Sequence, residues 1–197
     1  MKTKGKSISP VILVIFGLVM LPMALWFVAC GINWTVNGKV VDAKTGQPLE
    51  GVVVAVNWQR AKLGIPGLPV PYENYGTFES LTDVKGIFKI PKFLIGHHYM
   101  AVYKTGYLCW SSKTIFNPDG KNWHEMFMHR YGHRMKSGMV VKLKPKSVNL
   151  PAVKHANFVQ NVDTELGSPI PMFTEATKEE YKIYENFIKN QVRQNKR

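Results

Sequence analysis

From Val36 to Val56 the chain reads VNGKVVDAKTGQPLEGVVVAV, and no other stretch limits the possible folds as strongly. Val36, Gly38, Val40 and Asp42 fall at every second position, and so do Val52, Val54, Val56 and Trp58 after a turn. β-Branched residues at every second position describe a half-buried strand, so the expected unit is a β-hairpin. Its turn has a mechanism. The Asp42 carboxylate can accept N–H groups just downstream, Gly46 can take φ > 0, Pro48 fixes the exit, and Gly51 permits a bulge or close approach.

Further strands follow the same logic. Thr77–Ser80 and Ile87–Ile90 flank a turn at Thr82–Gly86, in which Asp83 and Gly86 repeat the roles of Asp42 and Gly46. Tyr99–Tyr103 alternates and is closed by Gly106 and Tyr107; Met139–Leu143 alternates and stops at Pro145. Two stretches break the rhythm: 59–75, with Pro66, Pro69 and Pro71, and 108–138, rich in aromatic and basic residues. Both are expected as long loops inserted between strands. His97 and His98 fall between strands and are expected to shape a turn.

The chain carries a formal charge of +13, and the three leader lysines Lys2, Lys4 and Lys6 leave +10 on the rest. That surface suits anionic lipid, acidic polymer or an acidic partner. There is no dense Lys/Arg block and no nucleic-acid motif, so nucleic acid is not expected as a partner.

Residues 1–29 combine a short basic segment with a continuous apolar run, as in a signal peptide or a membrane anchor. Basic residues before the run predict that the remainder leaves the cytoplasm. Phe27-Val28-Ala29-Cys30 resembles a bacterial lipobox, which would make Cys30 a lipidation site, although Phe27 stands where Leu is usual. The alternative is an uncleaved helix, since residues 8–29 are long enough to span a bilayer. Either fate gives an extracytoplasmic domain anchored to a bacterial cell envelope. A lipidated chain would sit on the periplasmic side of the outer membrane, as Gly31 is not the retention Asp. Residues 30–35 form a short tether. Cys109 then has no partner and is expected to be buried.

After the domain at 36–145, residues 146–176 hold Pro151, Pro169 and Pro171 without a sustained period and are expected as an extended linker. Thr177-Lys178-Glu179-Glu180 fits a capping box, and residues 177–197 are expected as an amphipathic helix.

The assembled motifs carry a resemblance. Gly38, Val40, Asp42, Thr45-Gly46, Pro48-Leu49 and Gly51-Val52, then Thr82-Asp83 with Gly86, Phe88 and Ile90-Pro91, then Gly96, Tyr99 and Gly106-Tyr107, are together similar to the carboxypeptidase regulatory-like domain. The resemblance implies an all-β, antiparallel, seven-stranded transthyretin-like or Ig-like sandwich, used as a noncatalytic module. It makes Asp42, Gly46, Asp83, Gly86, Gly106 and Tyr107 fold-determining turn residues and transfers no catalytic residue.

Catalytic signals are weak in the residues themselves. Trp123 to His129 holds His124, Glu125 and His129, but those histidines are five apart, roughly 140° around a helix. His129 and His133 have the i, i+4 spacing, but Gly132 weakens the helix and the intervening Glu is absent, and a metal site needs at least three ligands. No nucleophile elbow or phosphate loop appears. The reading is therefore no enzyme, no metal and no cofactor.

The 108–138 segment instead offers Trp110, Trp123, Phe127, Arg130, Tyr131 and Arg134, aromatic residues with arginine of the kind found at binding hot spots. They can also serve as caps over an open sandwich end. The expected function is a membrane-tethered binding or structural module with an envelope protein as partner. Acidic polysaccharide or peptidoglycan is the alternative ligand, and a metal-dependent hydrolase the more remote one.

Overall fold

The computed structural model describes residues 35–62, 72–91, 97–121, 125, 127–129, 135–167 and 169–194. Sheet A contains β4 (Ile87–Pro91), β1 (Thr35–Asp42) and β9 (Met139–Leu143), in that order. Sheet B contains β3 (Tyr72–Leu81), β2 (Val53–Ala61), β5 (His97–Tyr103) and β6 (Trp110–Ser111). A separate ribbon pairs β7 (Thr114–Phe116) with β8 (Phe127–His129), bringing the described strands to nine where seven were expected. Two helices follow, α1 (Ala152–Leu166) and α2 (Pro171–Gln194).

The strands β1 and β2 do not form the expected hairpin. β1 pairs antiparallel with β4 and parallel with β9, whereas β2 pairs with β3 and β5, so the Asp42–Gly51 turn carries the chain from one sheet to the other. Alternation marks a strand with two faces but does not say which strand lies beside it. The second turn, at Thr82–Gly86, also crosses between sheets. The Thr82 hydroxyl donates to the Leu49 carbonyl at 2.6 Å and accepts the Val52 N–H at 2.9 Å, fastening the two crossings together.

Asp42 closes its turn with one carboxylate oxygen and reaches across the domain with the other. Oδ1 accepts the N–H groups of Lys44 (2.7 Å) and Thr45 (2.8 Å), and Oδ2 accepts the Tyr107 hydroxyl at 2.9 Å. The Thr45 N–H is the main cause holding the Asp42 carboxyl below its ordinary range, against burial, which raises it. Asp83 accepts Lys85 and Ile87 N–H groups in the same way, at 2.9 and 2.8 Å. Gly86 is forced twice: its φ is 72°, and a Cβ there would meet the Val40 carbonyl oxygen at 2.5 Å.

The core has two layers. Between the sheets lie Val36, Val40, Val54, Val56, Phe88, Ile90, Met100, Val102, Val141 and Leu143. On the far face of sheet B, Val53, Ala55, Tyr99, Ala101 and Tyr103 pack against Phe158, Val159, Val162, Leu166 and Phe173 of the helices. Sheet B is thus buried on both faces, which is why Val52 to Val56 is continuously apolar rather than half-buried.

The helices correct the reading of 146–176 as an extended linker. Pro151 and Pro171 do not interrupt helices but stand at their starts, where a missing N–H costs no intrahelical bond. His155, Val159, Val162 and Leu166 repeat at helical spacing and are buried. Thr177 is no cap either. It lies inside α2, and its hydroxyl donates to the Phe173 carbonyl one turn back, at 2.8 Å. The expected loop 59–75 also shortens, because β2 runs on to Ala61 and β3 begins at Tyr72. His97 and His98 belong to β5, where His98 Nε2 accepts the Met135 N–H at 3.1 Å.

Candidate functional site

From Cys109 through β6 the side chains alternate between the two cores. Cys109 packs with the helix-side core and Ser111 donates to the Tyr99 hydroxyl there, whereas Trp110 turns the other way, half-buried against the inter-sheet core. Since β6 ends sheet B and β9 ends sheet A, Trp110 sits where the sandwich opens. A cleft of about 460 Å³ lies along this opening, within the roughly 300–1,000 Å³ of ligand clefts. One wall carries Trp110, Ile115 and Cys109; the other is β9 with Val140 and Lys142, followed by Lys144. The two lysines are exposed, and no carboxylate lines the cleft among the described residues.

Behind the wall is a buried polar cluster that no sequence motif marked. Glu180 of α2 accepts the Tyr103 hydroxyl at 3.1 Å and the Lys146 ammonium on Oε1. Its Oε2 lies 3.2 Å from His155 Nδ1, near but poorly aligned for a hydrogen bond. His155 Nε2 accepts the Cys109 main-chain N–H at 3.0 Å, so the ring proton of the neutral imidazole is on Nδ1, toward the carboxylate. Burial favours a neutral imidazole and lowers the His155 pKa, a shift that Glu180 opposes. Burial alone would raise Glu180, but His155 and Lys146 outweigh it and hold the carboxyl down at about 2.

Cys109, His155 and Glu180 are the residue types of a nucleophile, base and acid in series, but the hydrogen bonds give a different arrangement. The imidazole is engaged by the Cys109 backbone rather than its thiol, and burial pushes the thiol pKa up, away from thiolate. The cluster latches α1 and α2 onto β5 and β6. Its sequence signal was a histidine and a glutamate at buried positions of two helical stripes, the first of which lay in the stretch read as linker.

Of the residues expected at a binding surface, Trp110 lines the cleft, whereas Phe127 lies on the helix side, its ring stacked on Phe158 at 5.6 Å and 18°. Trp123, Arg130, Tyr131 and Arg134 lie outside the described residues, as do Cys30, the leader, His124 and His133. His129 is on a strand, where the helical spacing of the metal motif does not apply, and no group of three or more metal-ligating residues occurs among the described residues. Cys109 is free and buried. No helix among the described residues is long and apolar enough to cross a membrane.

No protein-family profile matches the chain, and no curated protein does. Solved structures do. The chain is similar to 3-chlorocatechol 1,2-dioxygenase from Rhodococcus opacus, at 19% identity and a TM-score of 0.35 over 57% of this chain and 59% of that one. It is similar to the pilus 2b backbone protein of group B streptococcus, at 18% identity and a TM-score of 0.34 over 57% and 41%. The major pilin SpaD of Corynebacterium diphtheriae matches at 12% identity and a TM-score of 0.34 over 56% and 30%. Each match spans less than two thirds of the other protein, and none assigns this chain to a family.

These similarities correct the expectation of a chain that is not an enzyme. Catechol and hydroxyquinol dioxygenases stand among the similar structures beside pilins. The physical reason is general: a scaffold does not set the chemistry, which resides in the residues grafted onto it.

Proposed function

We propose that this chain is a membrane-tethered, extracytoplasmic β-sandwich module of a bacterial envelope, and that it binds a protein partner. The observation that carries the reading is the open sandwich edge, where Trp110 and two unopposed lysines border a cleft of about 460 Å³. A rigid sandwich with recognition residues on its connecting segments is a common way to build a binding surface. The tether rests on the basic and apolar leader ending at Cys30. Membership of the carboxypeptidase regulatory-like group is part of the proposal, supported by the paired turns at Asp42–Gly46 and Asp83–Gly86 and by the Tyr107 hydroxyl on Asp42.

Crosslinking in intact envelopes tests the function. One specific protein should be recovered with the wild-type chain and lost with Trp123→Ala/Arg130→Ala. Retention on purified peptidoglycan, with no protein recovered, would replace the protein partner by an acidic polymer. Incorporation of labelled fatty acid that persists in Cys30→Ser would overturn lipidation at that residue.

A further inference from the structure

Among the described residues, no strand pairs with the outer edge of β9 in sheet A. β9 runs parallel to β1, with Val41 opposite Lys142 and Asp42 opposite Leu143. The Leu143 carbonyl accepts the Ala43 N–H at 2.7 Å, so the peptide groups of Leu143 point to β1. Successive residues of a strand present their peptide groups to opposite sides, which turns those of Val140 and Lys142 outward. The Lys144 carbonyl, next on that side, already accepts the Leu108 N–H at 2.8 Å and marks where the open stretch ends. Open strand edges are places where another chain can pair.

The cleft runs along this stretch. A strand laid beside β9 would place alternate side chains on two faces. One set would lie beside the exposed side chains of Val140, Lys142 and Lys144, and the other would point between the sheets toward Trp110 and Ile115. Lysines on an edge deter pairing between identical chains. A second copy of a chain carrying +13 is therefore disfavoured, and carboxylates beside Lys142 and Lys144 are favoured.

We propose that the free edge of β9 takes up an extended segment of the partner protein in which acidic and apolar residues alternate, adding it to sheet A as a further strand. This rests on the reading of the chain as a protein-binding module and names the chemistry of what it binds. The acidic residues would face Lys142 and Lys144, and the apolar ones would fill the cleft beside Trp110.

The test uses the full-length chain in detergent micelles and two fluorescein-labelled peptides, one of alternating Glu and Val and one of alternating Lys and Val. Saturable binding of the Glu–Val peptide alone is expected, with slowed amide exchange at Val140 and Lys142. Lys142→Glu/Lys144→Glu should weaken that binding at least tenfold and turn the preference toward the Lys–Val peptide. Val140→Pro removes only an outward donor, so it should abolish binding while leaving the unfolding midpoint in place. Equal binding of both peptides, no binding of either, or binding indifferent to Val140→Pro would overturn the proposal, as would dimerisation of the chain that Val140→Pro prevents. Envelope crosslinking separates this proposal from the broader one. A partner captured equally by wild type and by Lys142→Glu/Lys144→Glu removes the β9 edge and leaves the module, whereas no partner with wild type removes the module itself.

Discussion

The Glu79 carboxylate accepts the backbone N–H of Phe173 at 2.6 Å, so a side chain of β3 caps a helix that begins more than ninety residues later. Its other oxygen accepts the Met172 N–H at 3.1 Å. A helix start leaves N–H groups without intrahelical partners and carries partial positive charge, and here one carboxylate meets both needs. Glu79→Ala should lower stability by about 1–2 kcal/mol in denaturant unfolding. Glu79→Gln, which keeps an acceptor and loses the charge, should cost about half as much. Faster amide exchange at the start of α2 should accompany both.

The two turn glycines should respond differently to a methyl group. Gly46 has φ 74° with open space around it, whereas Gly86 has φ 72° and lies against the Val40 carbonyl. Gly46→Ala should cost about 1 kcal/mol, the strain of a left-handed backbone. Gly86→Ala adds a backbone clash and should cost at least twice that, about 2–3 kcal/mol. Thermal unfolding of both variants checks the order.

Acid should loosen the helices in two stages. Folding lowers His155 below its ordinary 6.5 and Glu180 from 4.5 to about 2. The unfolded chain therefore takes up these protons first, and stability falls as pH falls. His155 contributes to the loss once pH drops below about 6.5, and Glu180 contributes from about 4.5 down to about 2. In urea unfolding across this range, His155→Gln should flatten the first stage and keep the second. A variant that retains the full slope between pH 6.5 and 5 would contradict the role given to this imidazole.

Removing Glu180 outright should be worse than neutralising it. Glu180→Ala leaves Lys146 and the Tyr103 hydroxyl without their acceptor at a buried site and should cost about 3 kcal/mol or more. Replacing Lys146 as well, with Met, should recover part of the loss, because the unpaired charge goes with it. A double-mutant cycle measures the difference.

The distal part of α2 should be dispensable for the fold. Phe173, Thr177 and Glu180 are buried, but Phe187, Ile188 and Val192 are exposed. Ending the chain after Tyr184 should change the unfolding free energy by less than about 1 kcal/mol. A larger loss would mean that this apolar stripe is covered in solution.

Much of the β structure was legible because alternation is a local property. β1, β4 and β9 each carry it, and Asp42 and Asp83 announce the turns through side-chain chemistry acting over two to four residues. Sheet membership was not legible, since pairing depends on partners distant in sequence. That is how an expected hairpin became a crossing between sheets. α1 was hidden by the prolines around it, which signal extended chain in isolation but mark a helix start when an apolar stripe follows, as His155, Val159 and Val162 do. At the candidate site Trp110 stood out by residue type. Lys142 and Lys144 were unremarkable until β9 proved to be an outer strand.

The parallel pairing of β1 with β9 also sets an order of events. Gly38 faces Met139, about a hundred residues away, a separation that slows closure because the intervening chain must be ordered first. As the chain emerges N-terminus first, β1 can find β4 early, but sheet A stays incomplete on its other side until β9 follows. Residues beyond β9 then bring α1 and α2 onto sheet B. The residues from Met139 onward therefore complete the domain on both sides at once, and a chain that has emerged only as far as β8 would present β1 as an open edge to whatever chaperone or neighbour is nearest.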